Sequence, residues 1–253
     1  MKNIFFGLYA LAAYGIGFAS LLALMAFLLN LTPWGIDGGA PADSLLAVGA
    51  NSLLLGGYFA LHSIMARPAF KERWTAIVPQ PLERSTYVLV SGLTLGALIT
   101  LWHPLPGIIW KTETASLAGL FYGLHAMGWT VMVLATFNIN HFDFFGLGPV
   151  WRFIRRQPNR ETPFSARYLY GLIRHPISLG WMIVFWATPE MTVGHALMAI
   201  LATSYILVIT PREEKDLEQA IGQPYRDYQK QVPAFVPLRR AGPRESTSRK
   251  AGA

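Results

Sequence analysis

Three short segments of this apolar chain hold the side chains best suited to chemistry. They are NINHFDFFG (138–146), YLYGLIRHP (168–176) and TPREEKDL (210–217). Polar and ionisable groups are costly near a bilayer, so clusters of them mark candidate sites. Arginine, histidine and glutamate can bind a charged small molecule, and a histidine beside an aspartate can move a proton. We expect the three segments to meet at one cytoplasmic mouth.

The Arg174–His175 pair stands directly before Pro176, a residue favoured at the first position of a helix. The positive end of that helix would help both side chains to bind a carboxylate. A plainer alternative is that Pro176 only starts the helix and that Arg174 anchors it at the membrane surface.

Two adjacent carboxylates follow the last apolar stretch. Glu213 comes three residues after Thr210, with Pro211 between them, which is the pattern of a capping box at a helix start. Glu214 has no such structural role and is a candidate ligand for a cation. Residues 212–231 carry apolar side chains at helical spacing, interrupted by a glycine and a proline, and predict a pair of amphipathic helices on the membrane surface.

The remaining segment offers an acid–base pair. If residues 138–146 are extended, alternation places His141 and Asp143 on one side, where the carboxylate orients the imidazole and raises its basicity. Such a pair can activate a nucleophile. Asn140 and Phe142 are candidate contacts for the acceptor, although Asn140 can equally satisfy local backbone groups in a turn.

Three further histidines lie inside predicted spans: His62, His125 and His195. Facing histidines can ligate haem, but buried histidines in membrane bundles more often hydrogen-bond neighbouring helices. We therefore expect a structural role for them and no haem.

The composition indicates an all-α polytopic membrane protein. Of 253 residues, 53% are hydrophobic and 14% are charged, and an uncharged stretch of about 20 residues can cross a bilayer. Six spans are expected, of which the last two form a hairpin divided by ATPEMTVG (187–194): 4–29, 44–65, 86–103, 115–136, 177–188 and 192–210.

The distribution of basic residues predicts the topology. With six spans, only Lys111 among 21 Lys and Arg lies in an outer loop, so the positive-inside rule places both termini in the cytoplasm. The net charge of +7 faces anionic lipid headgroups and gives no indication of nucleic acid. The absence of cysteine excludes thiolate metal ligands and cysteine nucleophiles.

These features divide the chain into three parts. Residues 1–136 form four N-terminal spans, residues 137–237 hold the cytoplasmic loop, the hairpin and the C-terminal helices that form the site, and residues 238–253 form a basic disordered tail.

The region 168–237 resembles a known family. Its Y-x2-I-R-H-P-I-x2-G motif, followed by Y-x5-P-R-E-E-K-D-L-x4-G-x2-Y-x2-Y-x3-V-P-x-F-V-P, is similar to integral-membrane methyltransferases of the isoprenylcysteine carboxyl methyltransferase and phospholipid methyltransferase type. The segment TFNINHFDFFGLGPVW (136–151) resembles one branch, the bacterial methanethiol S-methyltransferases, which share sequence with NnrU-like membrane proteins. Ser178 departs from the tyrosine common at its position, and Thr210-Pro211 from a common glycine.

The resemblance implies S-adenosylmethionine as methyl donor, bound at the cytoplasmic end of the last helices. A sulfonium cofactor with a carboxylate, an ammonium, a ribose and an adenine requires cations, anions and aromatic faces. By their chemistry, Arg174 and His175 are candidates for the carboxylate, Glu213 or Glu214 for the ammonium or the ribose, and Tyr170 and Tyr205 for aromatic walls. The other candidate donor contacts are Pro176, Gly180 and Arg212.

The resemblance further implies a small volatile thiol as the methyl acceptor. This acceptor would be methanethiol, and the methylated product would be dimethyl sulfide. The thiolate is the nucleophile, and His141 oriented by Asp143 would take its proton. One alternative is another lipophilic thiol, an amine or a carboxylate as acceptor. Another is a non-catalytic NnrU-like membrane protein or a transporter. The lack of an obvious pair of broken helices argues against a transporter.

Overall fold

The chain folds into a bundle of helices with one small two-stranded sheet. The structure is a computed structural model that describes residues 1–40, 43–158 and 166–237, and the predicted basic tail at 238–253 lies outside them. Eleven α-helices and two strands occur in the described part: α1 Lys2–Leu28, α2 Ser44–Ala66, α3 Pro68–Trp74, α4 Glu83–Thr100, β1 Ile108–Lys111, α5 Ala115–Ile139, α6 His141–Phe144, α7 Leu147–Ile154, α8 Leu169–Leu172, α9 Pro176–Trp186, β2 Glu190–Thr192, α10 Val193–Ile221 and α11 Gln223–Gln231.

Each predicted span corresponds to one helix. Among the described residues, α1, α2, α5 and α10 are long and apolar enough to cross a membrane. Helix α4 has 18 residues and α9 has 11. The polytopic all-α architecture is therefore confirmed.

The fifth span, predicted over 177–188, is the short helix α9, which matches the predicted segment to within two residues at each end. Eleven residues rise about 16 Å, roughly half of the ~30 Å hydrocarbon core. At the end of α9, the indole of Trp186 donates to Thr203 at 2.9 Å, and Thr203 lies ten residues into the neighbouring α10. The carbonyl of Ala187 lies 3.3 Å from Nδ1 of His125, and β2 pairs antiparallel with β1. Non-helical backbone is tolerated in a membrane where protein covers it.

Close helix contacts depend on glycine. A Cβ added at Gly92 in α4 would lie 3.0 Å from the Cα of Gly17 in α1, and one added at Gly180 in α9 would lie 2.8 Å from the carbonyl of Gly128 in α5. Small residues let transmembrane helices approach closely without a water-driven hydrophobic force. The position of Gly180 is therefore explained by packing of α9 on α5.

Helix α10 does not stop at Pro211, so the predicted capping box is wrong. The helix runs unbroken to Ile221, and the hydroxyl of Thr210 donates to the carbonyl of Ile206 one turn earlier. Glu213 consequently lies within a helix. The break comes at Gly222, whose φ of 78° lets α11 fold back.

Two of the three histidines within the predicted spans hydrogen-bond across helices, as predicted. His62 of α2 contacts the hydroxyls of Tyr87 at 2.7 Å and Ser91 at 3.2 Å, both on α4. His125 also receives a hydrogen bond from the indole of Trp129. His195 is 1% exposed, and neither of its ring nitrogens has a hydrogen-bond partner within the described part of the chain.

Candidate active site

Arg174, His175 and Glu214 form one buried ionic cluster. Nε of Arg174 and Nε2 of His175 both donate to Oε1 of Glu214, at 2.7 and 2.8 Å. The three side chains are 11%, 9% and 15% exposed. Charge-assisted bonds in such a protected position are strong. The structure therefore joins the Arg-His-Pro motif to the second glutamate, 40 residues away in sequence.

Helix α11 and the segment after it close this cluster. The guanidinium of Arg174 also donates to the carbonyls of Gln229 and Val232, and its backbone N–H donates to Pro233 at 2.9 Å. The backbone N–H of His175 donates to Ala234 at 3.0 Å. The C-terminal segment thus covers the N-terminal end of α9.

Aromatic side chains surround the cluster on the α11 side. The hydroxyl of Tyr228 donates to the carbonyl of Tyr170 at 2.6 Å, the ring of Tyr225 packs on that of Tyr228, and the ring of Phe235 lies 5.7 Å from that of His175. The cluster therefore combines cations, a carboxylate and π faces. These are the groups that a charged nucleoside with an amino-acid tail requires.

Burial lowers the pKa of His175 below its ordinary value, and Arg174 lowers it further. The hydrogen bond and the charge of Glu214 act in the opposite direction without cancelling the effect of burial. At neutral pH His175 is therefore uncharged and donates its one Nε2 proton to the carboxylate.

Three other predicted donor residues lie on faces of α10 that differ from the face of Glu214. Helix geometry turns each residue by about 100°, so Arg212 and Tyr205 lie about 180–200° from Glu214 and within about 20° of each other. Tyr205 stacks on Phe59 with 4.2 Å between centroids and contacts the hydroxyl of Ser63 at 2.6 Å. Glu213 is exposed on a third face. The structure does not bring these three residues together with the Arg174–Glu214 cluster.

Residues 141–144 form a helical turn, α6, so the predicted extended conformation is wrong. Asn140 has a φ of 156° and caps this turn, because its side-chain oxygen accepts from the backbone N–H of Asp143 at 3.3 Å. In a helix, residues two apart point in nearly opposite directions. Asp143 instead pairs with Arg152 at 2.7 Å, so it does not orient the ring of His141.

Two hydroxyls orient His141 instead. The hydroxyl of Thr136 donates to Val133 at 2.7 Å and lies 2.8 Å from Nδ1 of His141. Since that hydroxyl has only one proton, it must accept from Nδ1–H. Nε2 is then the basic nitrogen, and the hydroxyl of Tyr14 donates to it across 3.1 Å.

The side chains around His141 are aromatic, and the imidazole is neutral in this environment. Its ring stacks on Phe137 with 4.3 Å between centroids, and Phe142 meets it edge-on at 5.5 Å. Burial lowers the pKa of His141 below 6.5. The imidazole is therefore in its base form at neutral pH.

The first two sequence segments are in contact. The backbone N–H of Leu169, at the start of α8, donates to the side chain of Asn138 at 3.3 Å. The first segment thus adjoins the second, and the second joins the third through Arg174 and Glu214.

Sequence reasoning missed several residues of this region. Tyr14 comes from the first span and gave no signal beyond an aromatic residue in an apolar run. The guanidinium of Arg84 lies over the rings of Tyr87 and Phe144, at 4.8 and 4.9 Å, and nothing in the sequence pattern indicated this contact. Gln229, which donates to the other oxygen of Glu214 at 3.3 Å, was also missed.

Comparison with known proteins gives two relatives that match about nine tenths or more of this chain and one that matches about two thirds. A protein named methanethiol S-methyltransferase 2, from Bradyrhizobium diazoefficiens, is 41% identical over 231 residues, which is 91% of this chain and 89% of that protein. One named methanethiol S-methyltransferase, from Mycobacterium tuberculosis, is 40% identical over 238 residues, covering 94% and 98%. A Nurim homolog from Drosophila pseudoobscura is 27% identical over 173 residues, covering 66% and 68%. No protein-family model matches the chain, and no solved structure does.

Proposed function

The chain belongs to the methanethiol S-methyltransferase family, and from this membership we propose that it transfers a methyl group from S-adenosylmethionine to methanethiol, giving dimethyl sulfide. The observation that carries the donor assignment is the buried Arg174–His175–Glu214 cluster beneath α11.

The chemistry of this cluster fits the amino-acid end of the donor. Arg174 and the first turn of α9 supply positive potential for a carboxylate. Glu214 supplies the negative charge for an ammonium, and the tyrosines of α11 supply faces for a ring or a cation. When bound, the donor supplies an electrophilic methyl group on a sulfonium. Transfer neutralises that charge, so a site of low polarity favours the reaction.

His141 is the proposed base for the acceptor. An alkyl thiol is mostly protonated at neutral pH, and its thiolate is the nucleophile. Nε2 of His141 can accept the thiol proton through the hydroxyl of Tyr14, while Thr136 holds Nδ1–H. The thiol S–H bond would break and its proton would end on Nε2, so that His141, which already carries Nδ1–H, becomes an imidazolium. The thiolate sulfur would form a bond to the methyl carbon as the bond between that carbon and the sulfonium breaks, and the electron pair would leave with neutral S-adenosylhomocysteine.

The other acceptor-side residues have supporting roles in this proposal. Phe142 contributes an apolar edge beside His141, and Asn140 holds the α6 turn through its cap. Asp143 fixes the same turn through Arg152.

The same proposal includes the orientation in a bacterial inner membrane. Lys111 of β1 pairs with Glu190 of β2, and the part of α10 from Val193 to Glu214 separates the sheet from the Glu214 cluster by about 32 Å of helix rise. This separation supports an outer sheet, a cytoplasmic site and cytoplasmic termini, in agreement with the positive-inside rule.

A direct assay tests this function. Purified protein in detergent receives S-adenosylmethionine and methanethiol, headspace gas chromatography measures dimethyl sulfide, and calorimetry measures donor binding separately. We expect both signals, with Glu214→Ala losing donor affinity and Glu72→Ala, an exposed acid on α3, retaining it. Donor binding without methylation of methanethiol, accompanied by methylation of a longer thiol or an amine, would contradict the acceptor assignment. Folded protein with no donor binding would contradict the whole proposal.

A further inference from the structure

A groove of about 540 Å³ runs between α2 and α10 on the outside of the bundle. Along α2 it extends from Ser52 to Arg67, which corresponds to about 22 Å of helix rise. One leaflet of a bilayer contributes about 15 Å of hydrocarbon. The groove is therefore long enough to follow a lipid chain through one leaflet.

The walls of this groove are mostly apolar between its ends. Leu55 and Ile209 line the groove and are buried. The hydroxyls of Ser63 and Tyr205 are hydrogen-bonded to each other. An occupant thus needs no polar atoms along its length. Methanethiol needs only a few times the ~30 Å³ of one water molecule, so the acceptor does not account for the size of the groove.

Gly56 in the groove wall has no packing role. A Cβ at this position would meet no protein atom within 4 Å, although glycine costs about 1 kcal/mol in a helix relative to alanine. This differs from Gly92 and Gly180, where backbone of a neighbouring helix fills the space. The space above Gly56 is available to a molecule other than this chain.

The cytoplasmic end of the groove is basic. Arg67 and Arg212 both line it. One terminal nitrogen of the Arg67 guanidinium donates to Asp216, which leaves the other N–H groups of this guanidinium as donors for a ligand. Arg212 is exposed and has no ion pair within residues 1–40, 43–158 and 166–237.

We propose that this groove binds an anionic phospholipid of the cytoplasmic leaflet, with one acyl chain along α2 and α10 and the phosphate between Arg67 and Arg212. Basic residues at a membrane surface attract anionic lipids, and an apolar chain matches the groove wall. The proposal does not depend on the methyl-transfer activity, because the groove lies on the face of α10 opposite to Glu214.

Lipid binding to the purified full chain tests the headgroup. Native mass spectrometry in nonionic detergent would compare phosphatidylglycerol with phosphatidylcholine carrying the same acyl chains. We expect tighter binding of phosphatidylglycerol and a loss of about fivefold in that preference in Arg212→Gln, the effect of one basic residue near a membrane surface. The matched control is Arg73→Gln, an exposed arginine of α3 outside the groove, which should keep the full preference.

Two glycine variants test the groove itself. Gly56→Leu fills the groove and should abolish the tightly bound lipid. Gly57→Leu gives the same gain in helix propensity on the next residue, which is also open but does not line the groove, and should bind lipid normally.

Four results would overturn the proposal. They are equal binding of the two lipids, retained preference in Gly56→Leu, displacement of the lipid by inorganic phosphate alone, and a dimer that is lost in Gly56→Leu, which would make a second copy the occupant.

Discussion

Replacing Glu214 by glutamine should separate the structural and donor-binding roles of the ionic cluster. The glutamine keeps the shape of the side chain but removes the charge that Arg174 and His175 share. Arg174 would remain 11% exposed without an anionic partner. Breaking a buried ion pair on one side costs about 3–5 kcal/mol, and the retained amide oxygen places Glu214→Gln at the lower end, about 3 kcal/mol.

For a chain of this size, about 3 kcal/mol corresponds to a fall in Tm of roughly 10 °C. Thermal unfolding in detergent, followed by tryptophan fluorescence, measures it. Asp227→Asn is the matched control, because it removes an ion pair with Lys230 whose side chains are 50% and 71% exposed, and such pairs contribute little. Equal Tm values for the Glu214→Gln and Asp227→Asn proteins would refute the view that this cluster holds α9, α10 and α11 together.

A double-mutant cycle distinguishes loss of the pair from a general defect. Arg174→Met alone leaves the charge of Glu214 without its cationic partner. The double variant, Arg174→Met with Glu214→Gln, removes both charges of the pair. We expect the double variant to be more stable than the sum of the single effects predicts. Donor affinity, measured by calorimetry at a temperature where every variant is folded, should fall in all three variants. Strict additivity would contradict the direct pairing of the two residues.

Further predictions concern the acceptor side, the helix packing and the orientation. His141→Ala should lower methanethiol turnover by about 10²–10⁴-fold with donor affinity nearly unchanged, and higher pH should partly restore it because free thiolate becomes available; full turnover at neutral pH would exclude this base. Because burial lowers the pKa of His141, its base form persists at neutral pH. Turnover in the unmodified protein should therefore fall only below pH 6.5, and this acidic decrease should be absent from the pH profile of His141→Ala. Tyr14→Phe, which removes the hydroxyl on Nε2, should lower turnover more than Asp143→Asn; the reverse order would favour the carboxylate as orienting group. Gly180→Ala should destabilise the fold by about 1–3 kcal/mol through overpacking, whereas Gly119→Ala on α5, where the added methyl meets nothing within 4 Å, should not, and equal melting temperatures would contradict the close α5–α9 contact. A reporter fused to the C-terminus should be active only in the cytoplasm, and periplasmic activity would reverse the proposed orientation.

The sequence by itself determined the features that depend on composition and local order. Uncharged stretches long enough to cross a bilayer predict helices whatever their neighbours are, because backbone polar groups must be satisfied internally in lipid. The asymmetry of Lys and Arg predicts an orientation on the same local basis. The Arg174-His175-Pro176 motif likewise predicted a helix start, which α9 confirms.

Only the tertiary structure decided which polar groups meet. Alternation placed His141 beside Asp143, but the cap of Asn140 creates a helical turn, and the partners of the imidazole come from α1 and α5. The pattern around Pro211 matched a helix start, but α10 continues through this proline to Ile221. Glu213 and Glu214 are neighbours in sequence, yet a rotation of about 100° per residue gives them different surroundings. Short-range patterns specify helices, whereas the rotation of each helix about its axis is fixed by contacts between residues distant in sequence, and that rotation determines the site.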